Sequence, residues 1–143
     1  MHELKGGCHC GNIAVSYRTA VAPEDAAPRA CRCNFCRKHN TRAVSDPEGA
    51  LAITVRDSAA LNRYRFGLGA ADFLICRNCG VYVAAFMPDP TDEGGYATLM
   101  ADALDEHARF PQATPTDYAG EDAARRRQRR RRRWTPASLR SGA

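Results

Sequence analysis

The apolar positions of this 143-residue chain fall in short alternating runs, not in the three-to-four spacing of helices. Ile13-Ala14-Val15-Ser16-Tyr17 alternates, as does Leu51-Ala52-Ile53-Thr54-Val55, and Asn62-Arg63-Tyr64-Arg65-Phe66 makes a third run. Asp72-Phe73-Leu74-Ile75-Cys76 and Val81-Tyr82-Val83-Ala84-Ala85-Phe86 are joined by the turn Cys76-Arg77-Asn78-Cys79-Gly80, which predicts a hairpin. Tyr96-Ala97-Thr98-Leu99-Met100 is the sixth run. Such runs, punctuated by Gly and Pro, predict a small all-β (mainly β) domain rather than alternating βαβ units. Tyr64, Phe66, Phe73 and Tyr82 lie in them and read as sheet packing.

The pattern changes after Phe110-Pro111. Asp117, Glu121 and Asp122 precede an arginine run, and acids before cations complement a helix dipole, so a helix is expected over 117–133. Arginines on every face predict that this helix is solvent-exposed, with Trp134 and Pro136 marking its end. The expected organisation is a domain over 1–110 and a charged extension over 111–143, helical or partly disordered. The formal charge of +5 conceals that split. Nine of the 21 basic side chains follow residue 124, leaving twelve against all 16 acids, so a body of charge −4 carries an extension of +9. The basicity therefore says little about what the body binds. No apolar run approaches the ~18 residues of a membrane span. Met1–Gly7 has no apolar core of a secretory leader, so a cytoplasmic location is expected.

Seven cysteines carry the candidate chemistry. Cys8 and Cys10 form C-x-C; Cys31, Cys33 and Cys36 form C-x-C-x-x-C; Cys76 and Cys79 form C-x-x-C before Gly80. An odd count in a chain without secretory features speaks against a disulfide framework. A thioredoxin-like reading would need a βαβ context, which is missing. Close pairs on tight turns suit zinc, which accepts thiolates at about 2.3 Å. The two distant pairs would close a four-thiolate structural site. The other three leave a fourth position, open for water or substrate as in catalytic zinc sites, or filled by His39 or, less well placed, His9. Gly7, Gly11 and Gly80 suit the tight turns around thiolates.

Taken together, Gly-x-Cys-x-Cys-Gly, Cys-x-Cys-x-x-Cys-Arg-Lys and Phe-x-x-Cys-x-x-Cys-Gly resemble the glutathione-dependent formaldehyde-activating enzyme (GFA) family, which has centromere protein V among its relatives. The resemblance runs over residues 4–105 and includes every cysteine. It implies a β-tent fold of small antiparallel sheets around a structural zinc on Cys8, Cys10, Cys76 and Cys79. It also implies a second, labile zinc on Cys31, Cys33 and Cys36, beside a pocket for glutathione. The segment His39-Asn40-Thr41-Arg42-Ala43-Val44-Ser45-Asp46 departs from the small and aromatic residues of many relatives, which implies an altered pocket.

On this reading the second zinc makes or breaks a carbon–sulfur bond between a thiol and a small aldehyde, a lyase-type reaction. Zinc would stabilise the thiolate and polarise an oxygen of the adduct. Arg32, Arg37, Lys38 and Arg42 would hold the carboxylates of glutathione or a similar thiol, unless they form only a solvated basic loop. Asp46 and Asp72 are conceivable bases, but nothing in the sequence places them near the metal. The alternative function is a non-catalytic zinc module whose arginines contact nucleic acid or an acidic protein. A truncation after Asp122 would separate the two, since the enzyme should keep its turnover.

Overall fold

The computed structural model describes residues 1–91 and 94–142. The chain opens with β1 (His2–Gly7) and β2 (Ile13–Thr19), followed by β3 (Arg29–Cys31), the short helix α1 (Asn34–His39) and β4 (Ala43–Val44). Then come β5 (Ala50–Val55), β6 (Leu61–Tyr64), β7 (Asp72–Cys76), β8 (Tyr82–Pro88) and β9 (Gly95–Met100). The chain continues with β10 (Thr114–Thr116), helix α2 (Ala123–Arg133) and β11 (Thr135–Ser141). The fold is mainly β, as the alternating runs require.

The strands join in one open, mixed sheet. Its path is β1-β2-β5-β11-β9-β4-β3-β10, with β8, β7 and β6 branching from β9. β9 is the hub. It pairs antiparallel with β8 along its length, with β11 through Gly95–Ala97, and with β4 through Leu99 and Met100.

β8 shows why this sheet needs an unbroken apolar run. Its residues are buried on both faces, so it reads as Tyr-Val-Ala-Ala-Phe-Met instead of alternating with polar residues. Val83, Ala84 and Phe86 face a core with Leu4, Ile13, Ile53, Leu74 and Leu99. Tyr82, Ala85 and Met87 face a second cluster with Phe73, Met100 and Trp134. The alternation slips once, at Val83–Ala84, where the register with β7 shifts between Leu74 and Ile75.

The segment beyond residue 110 does not stand apart from the body. The helix forms, beginning at Ala123 instead of residue 117, but β11 then enters the sheet between β5 and β9. It runs parallel to β5 from Ala137↔Leu51 to Ser141↔Val55, and antiparallel to β9 over Thr135–Ala137. Trp134, just before it, is buried. The arginine helix is therefore held at its C-terminal end by a core side chain and a central strand. Its expected all-round exposure does not hold, because Arg130 is only 8% exposed.

Candidate metal centre and pocket

Two turns build the four-sulfur cluster. The β1–β2 hairpin turn carries Cys8 and Cys10; the Cys8 N–H donates to the Ile13 carbonyl at 2.9 Å, and the Ile13 N–H donates back to Cys8 Sγ at 3.2 Å. The β7–β8 turn carries Cys76 and Cys79, closed by the Gly80 N–H on the Cys76 carbonyl at 2.8 Å. Gly80 has φ +79°, and Gly7 has φ +152° with no room for a Cβ, which would lie 2.1 Å from the Ile13 carbonyl oxygen. The two turns are stitched through one carbonyl. Ala60 O accepts from the Arg77 N–H at 2.8 Å and from Asn12 Nδ2 at 3.5 Å.

The sulfurs of Cys8, Cys10, Cys76 and Cys79 all lie within 4.8 Å of one another. Cys8 Sγ is 3.8 Å from Cys10 Sγ, which is 3.5 Å from Cys76 Sγ. Four sulfurs about 2.3 Å from a shared ion would be about 3.8 Å apart, so the set fits tetrahedral zinc. Burial opposes ionisation of Cys79, but hydrogen bonds from the backbone of Cys10 and Val81 and from the Cys76 and Cys8 thiols bring it down to about 6. A metal would find at least one thiolate ready.

The second cluster is local in sequence. Cys31 ends β3, Cys33 caps α1, and Cys36 lies in its first turn, with the Cys36 N–H donating to Cys33 Sγ at 3.4 Å. Their sulfurs also lie within 4.8 Å of one another. A hydrogen bond with Cys36 holds the Cys31 thiol down to about 5, whereas the same bond, with burial, pushes Cys36 far up. One thiol ionises easily and its neighbour resists, the imbalance that a divalent ion removes.

Among the described residues no histidine or carboxylate joins the three sulfurs. His39 stacks instead on Phe35, with ring centroids 4.4 Å apart, and lies 5.4 Å from Tyr82. Phe35 fixes the helix that carries the cysteines, packing on Phe66 at 5.1 Å, Phe73 at 4.9 Å and Tyr82 at 5.1 Å. Tyr64 is the outer member of this cluster, 5.7 Å from Phe35. Phe35's partners Phe66, Phe73 and Tyr82 also line the pocket described next, a role that sheet packing alone did not suggest.

The three cysteines open on a pocket of about 280 Å³. Of the expected cations only Arg32 lines it. Arg37 and Lys38 sit exposed in the last turn of α1. Arg42 is engaged elsewhere, donating to the carbonyls of Phe110, Pro111 and His107 and to Asp102 at 2.6 Å. The pocket's other guanidiniums are Arg29 from β3 and Arg126, Arg129 and Arg130 from α2. Asp46 accepts from Thr19 at 2.6 Å and Asp72 pairs with Arg63 and Arg65; neither lines the pocket.

The sequence profile of glutathione-dependent formaldehyde-activating enzymes matches residues 3–119. A crystal structure of a Rhodobacter sphaeroides protein superimposes with a TM-score of 0.53 at 24% identity, covering 78% of this chain and 99% of that one, and so shares the fold. No match is found among curated proteins.

Proposed function

Since the chain belongs to the glutathione-dependent formaldehyde-activating enzyme family, we propose that it is a carbon–sulfur lyase acting on the adduct of glutathione, or a similar thiol, with a small aldehyde. The observation that carries this reading is the position of the three-cysteine cluster: it forms part of the wall of the 280 Å³ pocket, whereas the four-cysteine cluster lies outside that pocket. The cluster has the donor set for zinc, which when bound would favour thiolate over thiol and polarise an oxygen of the adduct.

In the synthetic direction the substrate sulfur attacks the aldehyde carbon. One carbon–sulfur bond forms, the carbonyl π bond breaks, and the thiol proton ends on the new hydroxyl. The reverse step returns thiol and aldehyde, with no oxidant in either direction. The chain's own residues confine this chemistry. Phe66, Phe73 and Tyr82 give the pocket an apolar wall that limits water near the reacting carbon. Burial raises the Tyr82 phenol well above 10, so it keeps its proton.

The test replaces Cys36 with Ser, confirms that one zinc per chain remains, and follows adduct formation and cleavage with glutathione and formaldehyde. Turnover should disappear while the fold persists. Unchanged turnover would refute the proposal.

A second reading is favoured by the outer face of α2, where Arg125, Arg127, Arg131, Arg132 and Arg133 are exposed. On it the protein is a zinc module that binds phosphate backbones or acidic proteins, and its affinity would fall steeply with salt.

A further inference from the structure

Among the described residues, three buried side-chain polar atoms have no hydrogen-bond partner: Thr41 Oγ1, Thr116 Oγ1 and Arg130 Nε. All three residues line the three-cysteine pocket. Buried polar groups are ordinarily satisfied, and an orphan is costly, the more so when charged. Three orphans among the residues that line one cavity therefore point to a ligand that meets them.

Their chemistry indicates what the ligand carries. Arg130 is an N–H donor only, and its guanidinium, 4.5 Å above the Trp134 ring, is 8% exposed. Arg126, Arg129 and Arg130 stand three and four residues apart and so share one face of α2. Glu121 neutralises part of that face, pairing with Arg129 at 2.7 Å and Arg126 at 3.3 Å. Among the described residues Arg130 has no such partner. Asp117 is the pocket's carboxylate, set against five guanidiniums. Burial, and then the charges of Arg129 and Arg126, lower Arg130 to about 10, so it still carries its proton near neutrality.

We propose that Arg130, with Thr41 and Thr116, forms an anion subsite that holds a carboxylate of the thiol substrate, making this side of the pocket the determinant of substrate charge. Arg130 lies on α2, beyond the segment matched by the family profile, whereas Thr41 and Thr116 lie within that segment. Its role in selecting a thiol rests on the function proposed above; its capacity to bind an anion does not.

Trp134 is the chain's single tryptophan and reports on this wall. The zinc-loaded full chain is titrated at constant ionic strength with 3-mercaptopropionate, 2-mercaptoethanol, propionate and inorganic phosphate, following Trp134 emission and, independently, heat. 3-Mercaptopropionate should bind about tenfold more tightly than 2-mercaptoethanol, the advantage expected of one charge-assisted contact. Arg130→Gln should abolish that advantage and leave 2-mercaptoethanol unchanged, and Arg130→Lys should restore part of it. Thr116→Val, which removes a hydroxyl at nearly constant shape, provides the same comparison if the arginine variants do not fold.

Equal affinity for the two thiols, or an equal loss for both in a folded variant, would overturn the proposal. So would phosphate binding more tightly than the carboxylated thiol, because the subsite would then serve free phosphate. Propionate binding to Cys36→Ser separates the two claims. It persists if only the lyase reading fails, and is missing if the subsite itself is wrong.

Discussion

Cys10 and Cys76, 3.5 Å apart through their sulfurs, are separated by 66 residues, whereas Cys31, Cys33 and Cys36 fall within a single strand-to-helix junction. Both clusters offer thiols at metal-binding distance, yet on the function proposed above they would do different work. An ion on the first would close a long loop and join two hairpins, so its binding energy becomes folding energy. An ion on the second would close a few residues already fixed by the cap of α1 and by Phe35, adding little to the fold. What it would add, on the proposed function, is a reactive position facing a pocket. On that proposal the same ligand type would serve stability or chemistry according to chain separation and to what lies on the open side.

The sharpest way to break this contrast is Cys76→Ser. Cys76 is fully buried at the junction of the two hairpins, and its loss should cost on the order of the domain's whole stability, roughly 5–15 kcal/mol. A thermal melt near that of the parent chain would abolish the distinction. Cys36→Ser should instead lower turnover at least ~100-fold while shifting the melting temperature by only a few degrees. Gly80→Ala sharpens the comparison from the other side. A Cβ there meets nothing within 4 Å, but the positive φ costs about 1–2 kcal/mol, which should appear in the melt and leave turnover near the pocket unchanged.

The smallest expected effect is a pH response of the pocket wall. Arg129, then Arg126, hold the Glu121 carboxyl below its ordinary 4.5. A carboxylate depressed on folding stabilises above the unfolded value and loses that contribution as pH falls through the folded one. The packing of α2 should therefore loosen only below about pH 4.5, seen as a change in Trp134 emission that Glu121→Gln removes.

The strands with large apolar alternation were legible in the sequence: β2, β5, β7, β8 and β9 lie where the pattern puts them. β6 ends at Tyr64, before the expected Phe66, which turns into the pocket wall. β1, β3, β4 and β10 were not legible, being short or poor in large apolar residues. β11 was hidden by its own composition. Thr135-Pro136-Ala137-Ser138-Leu139-Arg140-Ser141 has one large apolar residue and a proline, a combination that argues against a central strand. The structure tolerates Pro136 because pairing with β5 begins only at Ala137.

The cysteine groupings were legible because ligand spacing is a local property. The cations of the pocket were not. In a helix where nearly every residue is arginine, periodicity cannot say which face is buried; Trp134, read only as a helix end, was the one available signal. Arg29, Arg126, Arg129 and Arg130 reach the pocket through tertiary contacts alone. The truncation after Asp122 also loses its meaning, since it removes a strand from the middle of the sheet along with the arginines.

That central strand has a consequence for how the protein is made. During synthesis β5 and β9 leave the ribosome well before the segment that pairs with both of them. Until residues 135–141 emerge, the facing edges of β5 and β9 present unpaired donors and acceptors, templates for any other strand nearby. The parallel pairing of β11 with β5 is among the longest-range contacts of the fold, and such pairings are slow to form. Assembly of the sheet is thus a late event, and substitutions in Thr135–Ser141 should lower the yield of folded protein out of proportion to their effect on its final stability.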